Sequence, residues 1–153
     1  MATHLAPGDK VPSFTLTDQD GKTFDSKTLQ GKRHVIFFYP KDNTPGCTQE
    51  ACGFRDAFEE LQEHDVEVVG ISSDSVVSHN RFAAKLELPF KLLSDNKGTV
   101  RKLFGVKGIL LGLIPDRVTF VIDEKGHIIH VVKSMLNIDK HLIEVKHALK
   151  ISH

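Results

Sequence analysis

The sequence predicts an α/β domain in which a mixed central β-sheet is flanked by helices. Three observations predict it. The runs His34–Tyr39, Val66–Ser73 and Arg117–Asp123 are rich in β-branched and aromatic residues and have the length of buried strands. Segments over 47–64, 75–87 and 139–150 place apolar residues at helical spacing. A strand, a helix and a second strand in succession form a right-handed parallel βαβ unit. A chain of 153 residues fits one sizeable core, so 1–153 is read as a single domain.

Residues 1–12 read as an irregular leader containing Pro7, Gly8 and Pro12. Phe14-Thr15-Leu16-Thr17 alternates with period two, and Asp20-Gly21 is a turn signal before Lys22-Thr23-Phe24, which makes 13–25 a hairpin. Leu29 to Lys32 turns the chain into the central strand, 34–39. Pro40, Pro45 and Gly46 bar continuous helix or strand across the next junction. Phe54, Phe58 and Leu61 then give helix 47–64 an apolar face, and strand 66–73 follows.

Asp74-Ser75 can cap a helix over 75–87, with Val76, Val77, Phe82 and Leu86 available to pack and Pro89 as its stop. Lys91 to Ser94 is a short strand, Asp95 to Gly98 a turn, and Thr99 to Phe104 one or two helical turns ending at Gly105. Residues 105–115 are apolar but punctuated by three glycines and a proline. They read either as a core-packed connection or as an apolar flap near the cysteine pair. Strand 117–123, the turn Glu124-Lys125-Gly126 and strand 127–132 form a hairpin. The last helix, 139–150, is expected to turn Leu142, Ile143, Val145 and Leu149 inward. The order βαβ, intervening helix, β-hairpin, helix is the thioredoxin-like arrangement, here with an added N-terminal β-hairpin. In it strand 117–123 runs antiparallel beside strand 34–39, and Arg117 falls next to the loop from Pro40 to Cys47.

Lys+Arg and Asp+Glu each number 20, so no bulk field argues for nucleic acid or an anionic membrane as partner. No apolar run reaches membrane-spanning length. Met1 to Pro7 lacks the basic and apolar regions of a secretion signal, and a cytoplasmic location is expected. Two cysteines in such a chain point to redox or catalytic use in a reducing compartment.

Both cysteines fall in Tyr39–Cys52, between the central strand and the first long helix. Cys47 is placed in the first turn of that helix. There the unpaired N–H groups and the positive end of the macrodipole favour the thiolate, the nucleophilic form. Thr44, three residues earlier, can bring a hydroxyl near the sulfur and near an oxygen-bearing substrate. An inert buried cysteine that merely begins a helix is the alternative. Cys52 weighs against it. The C-x4-C spacing is neither a thioredoxin-like dithiol nor a zinc ligand pair, since no further Cys or His stands beside it at ligand spacing. Five helical residues separate the two Cα atoms by about 7.5 Å along the axis and about 140° around it. That exceeds comfortable disulfide reach. A reactive thiol with a second thiol that reaches it only after a rearrangement fits this spacing.

Pro40-x-x-x-Thr44-x-x-Cys47 resembles the active-site motif of the peroxiredoxins. The longer stretch from Phe38 through Cys47-Thr48-x-x-Ala51-Cys52-x-x-Arg55-Asp56 resembles their bacterioferritin comigratory protein branch, also called the Q type. The resemblance runs from Gly8-Asp9-Lys10-Val11-Pro12-Ser13-Phe14 to the last helix. It implies a substrate that is hydrogen peroxide or a small organic hydroperoxide. Cys47 would be the peroxidatic nucleophile and Cys52 the resolving thiol. Thr44 and Arg117 would bind the peroxide oxygens, and Pro40 would shield the thiolate. Thioredoxin or a similar dithiol would be the reductant, with no metal and no organic cofactor, and the chain would be a monomer. Glu50 stands where the family often has Glu or Gln. It reads equally as part of the site's hydrogen-bond network or as a first-turn carboxylate favoured by the helix dipole. Two other classes remain open: a thiol–disulfide oxidoreductase without peroxide chemistry, under which Pro40 and Thr44 have no clear part, and a holdase using the apolar 105–115 stretch.

Overall fold

The structure, a computed structural model, describes residues 4–109, 112 and 114–151. Its strands are β1 Thr15–Asp18, β2 Thr23–Asp25, β3 Arg33–Phe38, β4 Val66–Ser72, β5 Lys91–Ser94, β6 Gly108–Ile109, β7 Ile114–Pro115, β8 Val118–Ile122 and β9 Ile128–Lys133. Its α-helices are α1 Pro45–Glu63, α2 Val76–Leu86, α3 Thr99–Leu103 and α4 Ile138–Ala148. A seven-stranded sheet runs in the order β2-β1-β5-β4-β3-β8-β9. β3 pairs in parallel with β4, and β4 with β5, while β8 lies antiparallel to both β3 and β9. This is the thioredoxin-like order expected from the sequence. The N-terminal hairpin β1–β2 extends the sheet by pairing antiparallel with β5.

The two faces of the sheet are read off β3 by the two-residue period of a strand. Val35 and Phe37 point into a core shared with Phe54 and Leu61 of α1, Phe82 of α2, and Val145 of α4. Ile36 and Phe38 point to the other face, into a core with Phe14, Val100, Phe104 and Phe120. Burial on both faces explains why β3 is continuously apolar from Val35 to Phe38 instead of alternating. Each fully buried side chain of this size contributes roughly 1.5–3 kcal/mol. Phe37 stacks on Phe54 with ring centroids 4.8 Å apart, which pins the middle of α1 to the sheet. Gly70 of β4 is required by that packing, because a Cβ there would stand 2.7 Å from the Phe37 ring.

Three details differ from the sequence reading. Ile143 is 54% exposed and Val77 60% exposed, so neither faces the core. Leu142, Val145 and Leu149 pack inward as expected, and Ile138 and His141 join them on the buried side of α4. The 105–115 stretch also carries a small hairpin, β6–β7, that its glycines and proline had hidden. Arg101 holds it by donating to the carbonyls of Val106 at 2.9 Å and Gly112 at 3.3 Å. Val106 and Pro115 are buried, as the core-packed reading requires at both ends, while Leu110, Leu111 and Leu113 lie outside the described residues.

Candidate active site

The register of β3 against β8 pairs Phe38 with Val118. The last residue of one strand therefore abuts the first of the other. Arg117, one residue before β8, is delivered beside the loop that leaves β3. Pro45 occupies the first helical position of α1, so Cys47 sits in its first turn, as expected. Proline has no N–H, and the first intrahelical bond runs from the Thr48 N–H to the Thr44 carbonyl at 2.9 Å. The N–H groups of Gly46 and Cys47 are thus left at the open end of the helix.

Cys47 is 1% exposed, and Arg117 Nη2 donates to its Sγ at 3.3 Å. The same guanidinium donates through Nη1 to Glu50 Oε1 at 2.6 Å and through Nε to the Met135 carbonyl at 3.2 Å. Burial pushes the Arg117 pKa down, but the Glu50 carboxylate and the Cys47 sulfur raise it overall, so the cation persists. Gly46 makes room for it: a Cβ there would lie 3.0 Å from Arg117 Nη2 and 3.4 Å from Ile138 Cδ1.

Of the residues singled out by sequence, Cys47 and Arg117 are brought into contact. Pro40 is buried at the end of β3, in the loop before Cys47. Thr44 is the N-cap residue of α1, and its hydroxyl donates to the Lys41 carbonyl at 2.8 Å instead of capping the helix or meeting the sulfur. The oxygen keeps lone pairs with which to accept from a hydroperoxide proton. Cys52 lies in the same unbroken helix, half-buried, and both thiols are free.

Two polar clusters surround the site; the sequence reading missed the first and named only Glu50 of the second. The first fixes the loop. Asp42 accepts at Oδ1 from the Tyr39 hydroxyl at 2.7 Å and at Oδ2 from the Ser78 hydroxyl at 2.8 Å, with His79 Nδ1 also 2.7 Å from Oδ2. Its own N–H donates to Asp74 Oδ2 at 2.9 Å. His79 Nε2 faces the Leu93 carbonyl at 3.0 Å. Burial and the neighbouring Asp42 carboxylate push the Tyr39 hydroxyl well above its usual pKa and keep it a donor. Atoms of Asp42, Asp74 and His79 lie within 4.8 Å of one another, as metal ligands do, but each already has protein partners and the group reads as a clamp. Asn43, at φ 62°, makes the left-handed turn that returns the chain to Thr44.

The second cluster lies behind Arg117. His141 Nε2 meets the Ser134 carbonyl at 2.7 Å, and its Nδ1 meets the Thr119 hydroxyl at 2.8 Å. Nδ1 is also 3.6 Å from Glu50 Oε2. Burial pushes the Glu50 carboxyl up to about 7, against the opposing pull of Arg117 and Thr119. Burial also lowers the His141 pKa, an effect the nearby Arg117 and Lys140 charges reinforce. One sequence signal pointed here: a histidine in the inner apolar stripe of an amphipathic helix. Asp42 and His79 gave none, because nothing in sequence relates a loop residue to a helix 37 positions on.

Residues 7–131 match the AhpC/TSA family. The chain is 46% identical over 140 residues to "Peroxiredoxin Q, chloroplastic" of Triticum aestivum and 47% identical over 137 residues to the protein of that name from Populus jackii. These matches cover 92% and 90% of this chain, and the chain spans 64% of the length of each relative. Among solved structures, peroxidoxin BcpB from Mycobacterium tuberculosis superposes with a TM-score of 0.89 at 41% identity, covering 96% of this chain and 97% of that one. A PrxQ mutant from Xylella fastidiosa gives 0.88 at 29% identity, covering 97% and 98%.

Proposed function

The chain belongs to the AhpC/TSA family, and we propose that it acts there as a thiol peroxidase that reduces hydrogen peroxide and small organic hydroperoxides. The observation that carries the reading is the contact between Arg117 Nη2 and the buried Cys47 Sγ, 3.3 Å, at the open end of α1. The Cys47 thiolate attacks the terminal oxygen of R–O–O–H. The S–O bond forms as the O–O bond breaks, sulfur is oxidised to sulfenic acid, and the alkoxide leaves and takes a proton to become the alcohol. Negative charge moves from sulfur onto oxygen along this path. The Arg117 fork and the Cys47 N–H are positioned to follow it, which is the kind of fixed donor array that lowers such barriers. Thr44 Oγ1 accepts a hydrogen bond from the hydroperoxide O–H and so orients the substrate. Pro40 adds apolar, rigid cover.

Resolution follows by attack of the Cys52 sulfur on the sulfenic sulfur, forming the disulfide and releasing water. A thioredoxin-type dithiol then returns two electrons. The proposal includes a monomer, on the branch resemblance, and a cytoplasmic location, on two free thiols that suit a reducing compartment. No described helix is long and apolar enough to cross a membrane.

The test is peroxide-dependent oxidation of a thioredoxin system by the purified protein, with Cys47→Ser as control. Turnover that requires Cys47 is the expected result. Disulfide exchange without peroxide consumption would replace the reading with a thiol–disulfide oxidoreductase. Protection of unfolded chains that survives Cys47→Ser would replace it with a holdase.

A further inference from the structure

Glu50 Oε2 is buried and has no hydrogen-bond partner among the described residues. An ionised carboxylate in that state leaves a charged acceptor without a donor, a costly arrangement. The surrounding protons are accounted for. His141 Nε2 faces the Ser134 carbonyl, which can only accept, so Nε2 carries the ring proton. In the neutral ring Nδ1 is then a bare acceptor, and it takes the single Thr119 hydroxyl proton at 2.8 Å. Arg117 reaches only Oε1. Nothing remains to donate to Oε2. A proton on Oε2 lowers that cost, because a neutral carboxyl is far cheaper to bury than an ionised one, and the nearest acceptor nitrogen, His141 Nδ1, stands 3.6 Å away.

We propose that Glu50 carries a proton in the folded, reduced protein, and that His141, by claiming the Thr119 hydroxyl, is the positioning residue that keeps it there. The charge of Arg117 then serves the Cys47 sulfur instead of being divided between two anions. Every charged group facing Glu50 enters the balance. From its own helix comes Cys47, from the start of β8 Arg117, and from α4 His141 with Lys140 and Glu144 beside it. Arg117 favours the ionised carboxyl, as the Thr119 hydroxyl does when it turns from His141 to Glu50, and burial outweighs both, placing Glu50 at about 7. Cys47 and Glu50 share one guanidinium, so the proton on Glu50 changes the charge balance that faces the sulfur.

The purpose assigned to the proton rests on the thiol-peroxidase reading, but its presence can be measured without peroxide. The measurement is the side-chain carboxyl ¹³C shift against pH in the reduced full-length protein labelled at glutamate, with Glu50→Gln used to assign the signal. The expected wild-type midpoint lies near 7, and a midpoint below about 5.5 overturns the proposal. His141→Phe keeps a ring of similar size and releases the Thr119 hydroxyl to the carboxylate, so the midpoint falls by about one unit. An unchanged midpoint in folded His141→Phe removes His141 from the role. The rate of Cys47 alkylation against pH supplies the link to sulfur: an inflection near pH 7 in the wild type disappears in Glu50→Gln. Persistence of that inflection in the variant overturns the coupling. Failure of peroxide turnover alone would strike the functional reading and leave these three readouts standing.

Discussion

Cys47 and Cys52 occupy one unbroken helix, the first sealed at 1% exposure and the second half-buried. In that geometry their sulfurs cannot bond. Disulfide formation requires α1 to open at its start, and the packing sets how far. Phe54, stacked on Phe37, is the first large anchor after Cys52. Amide exchange in the oxidised protein is expected to speed up over roughly residues 45–53 relative to the reduced form, with β3 and β8 protected in both. Equal protection of this segment in both redox states would show that the helix does not open. Cys52→Ser is expected to consume one equivalent of peroxide and stop at a sulfenic acid trapped by dimedone.

Arg117→Lys keeps the positive charge but loses the planar fork that reaches Cys47, Glu50 and Met135 together. We expect a folded protein with kcat/KM for hydrogen peroxide reduced about tenfold or more, comparable to the loss of one transition-state donor. Near-wild-type turnover would take Arg117 out of the reaction.

Gly46→Ala tests the fit of that fork against the helix. Alanine ordinarily favours a helix over glycine by up to about 1 kcal/mol. Here its Cβ would press on Arg117 Nη2 at 3.0 Å. The expected outcome is a variant whose thermal stability does not rise and whose peroxide turnover drops severalfold. A more stable, fully active Gly46→Ala protein would show that Arg117 yields without consequence.

Asp42→Ala leaves the Tyr39 hydroxyl, the Ser78 hydroxyl and His79 Nδ1 facing no acceptor at that position. Removing one partner of a buried pair costs about 3–5 kcal/mol. Urea denaturation is expected to register a loss of that order. A loss below about 1 kcal/mol would mean that the clamp contributes little to the fold.

Glu50 also shapes stability against pH. Its carboxyl lies at about 7 in the folded chain against an ordinary 4.5, so between those values the folded state holds more protons than the unfolded one. Stability from this group is therefore full below about pH 4.5, falls as pH rises toward 7, and is level above it, a loss of about 3 kcal/mol in all. Glu50→Gln removes that slope. Denaturation curves at pH 5 and pH 7.5 with the same difference in variant and wild type would contradict the assignment.

Much of this architecture was legible in the chain because its signals are local. β3 announced itself through the apolar run from Val35, and α1 through the spacing of Phe54, Phe58 and Leu61, although Pro45 and Gly46, read as barring the helix, instead form its first turn. Arg117 could be placed because the antiparallel β3–β8 pairing fixes which ends meet. What stayed hidden depends on contacts between distant elements. Val77 and Ile143 are apolar yet turned outward, since a helix with more apolar residues than its buried stripe needs must expose some. The orientation of the Thr44 hydroxyl toward Lys41, the Asp42–His79 clamp and the donor deficit at Glu50 are set by atomic geometry that no residue spacing encodes.

The antiparallel pairing of β3 with β8 also has a consequence for biosynthesis. Cys47 meets its guanidinium partner from 70 residues further along the chain. At ribosomal rates of about 5–20 residues per second, that interval lasts roughly 4–14 s, plus the time for Arg117 to clear the exit tunnel. Throughout it the nascent polypeptide carries Cys47 without its cation, and β3 without its antiparallel partner β8. The thiol is thus synthesised early and armed late: the proposed peroxidase could act only once nearly the whole domain has been translated.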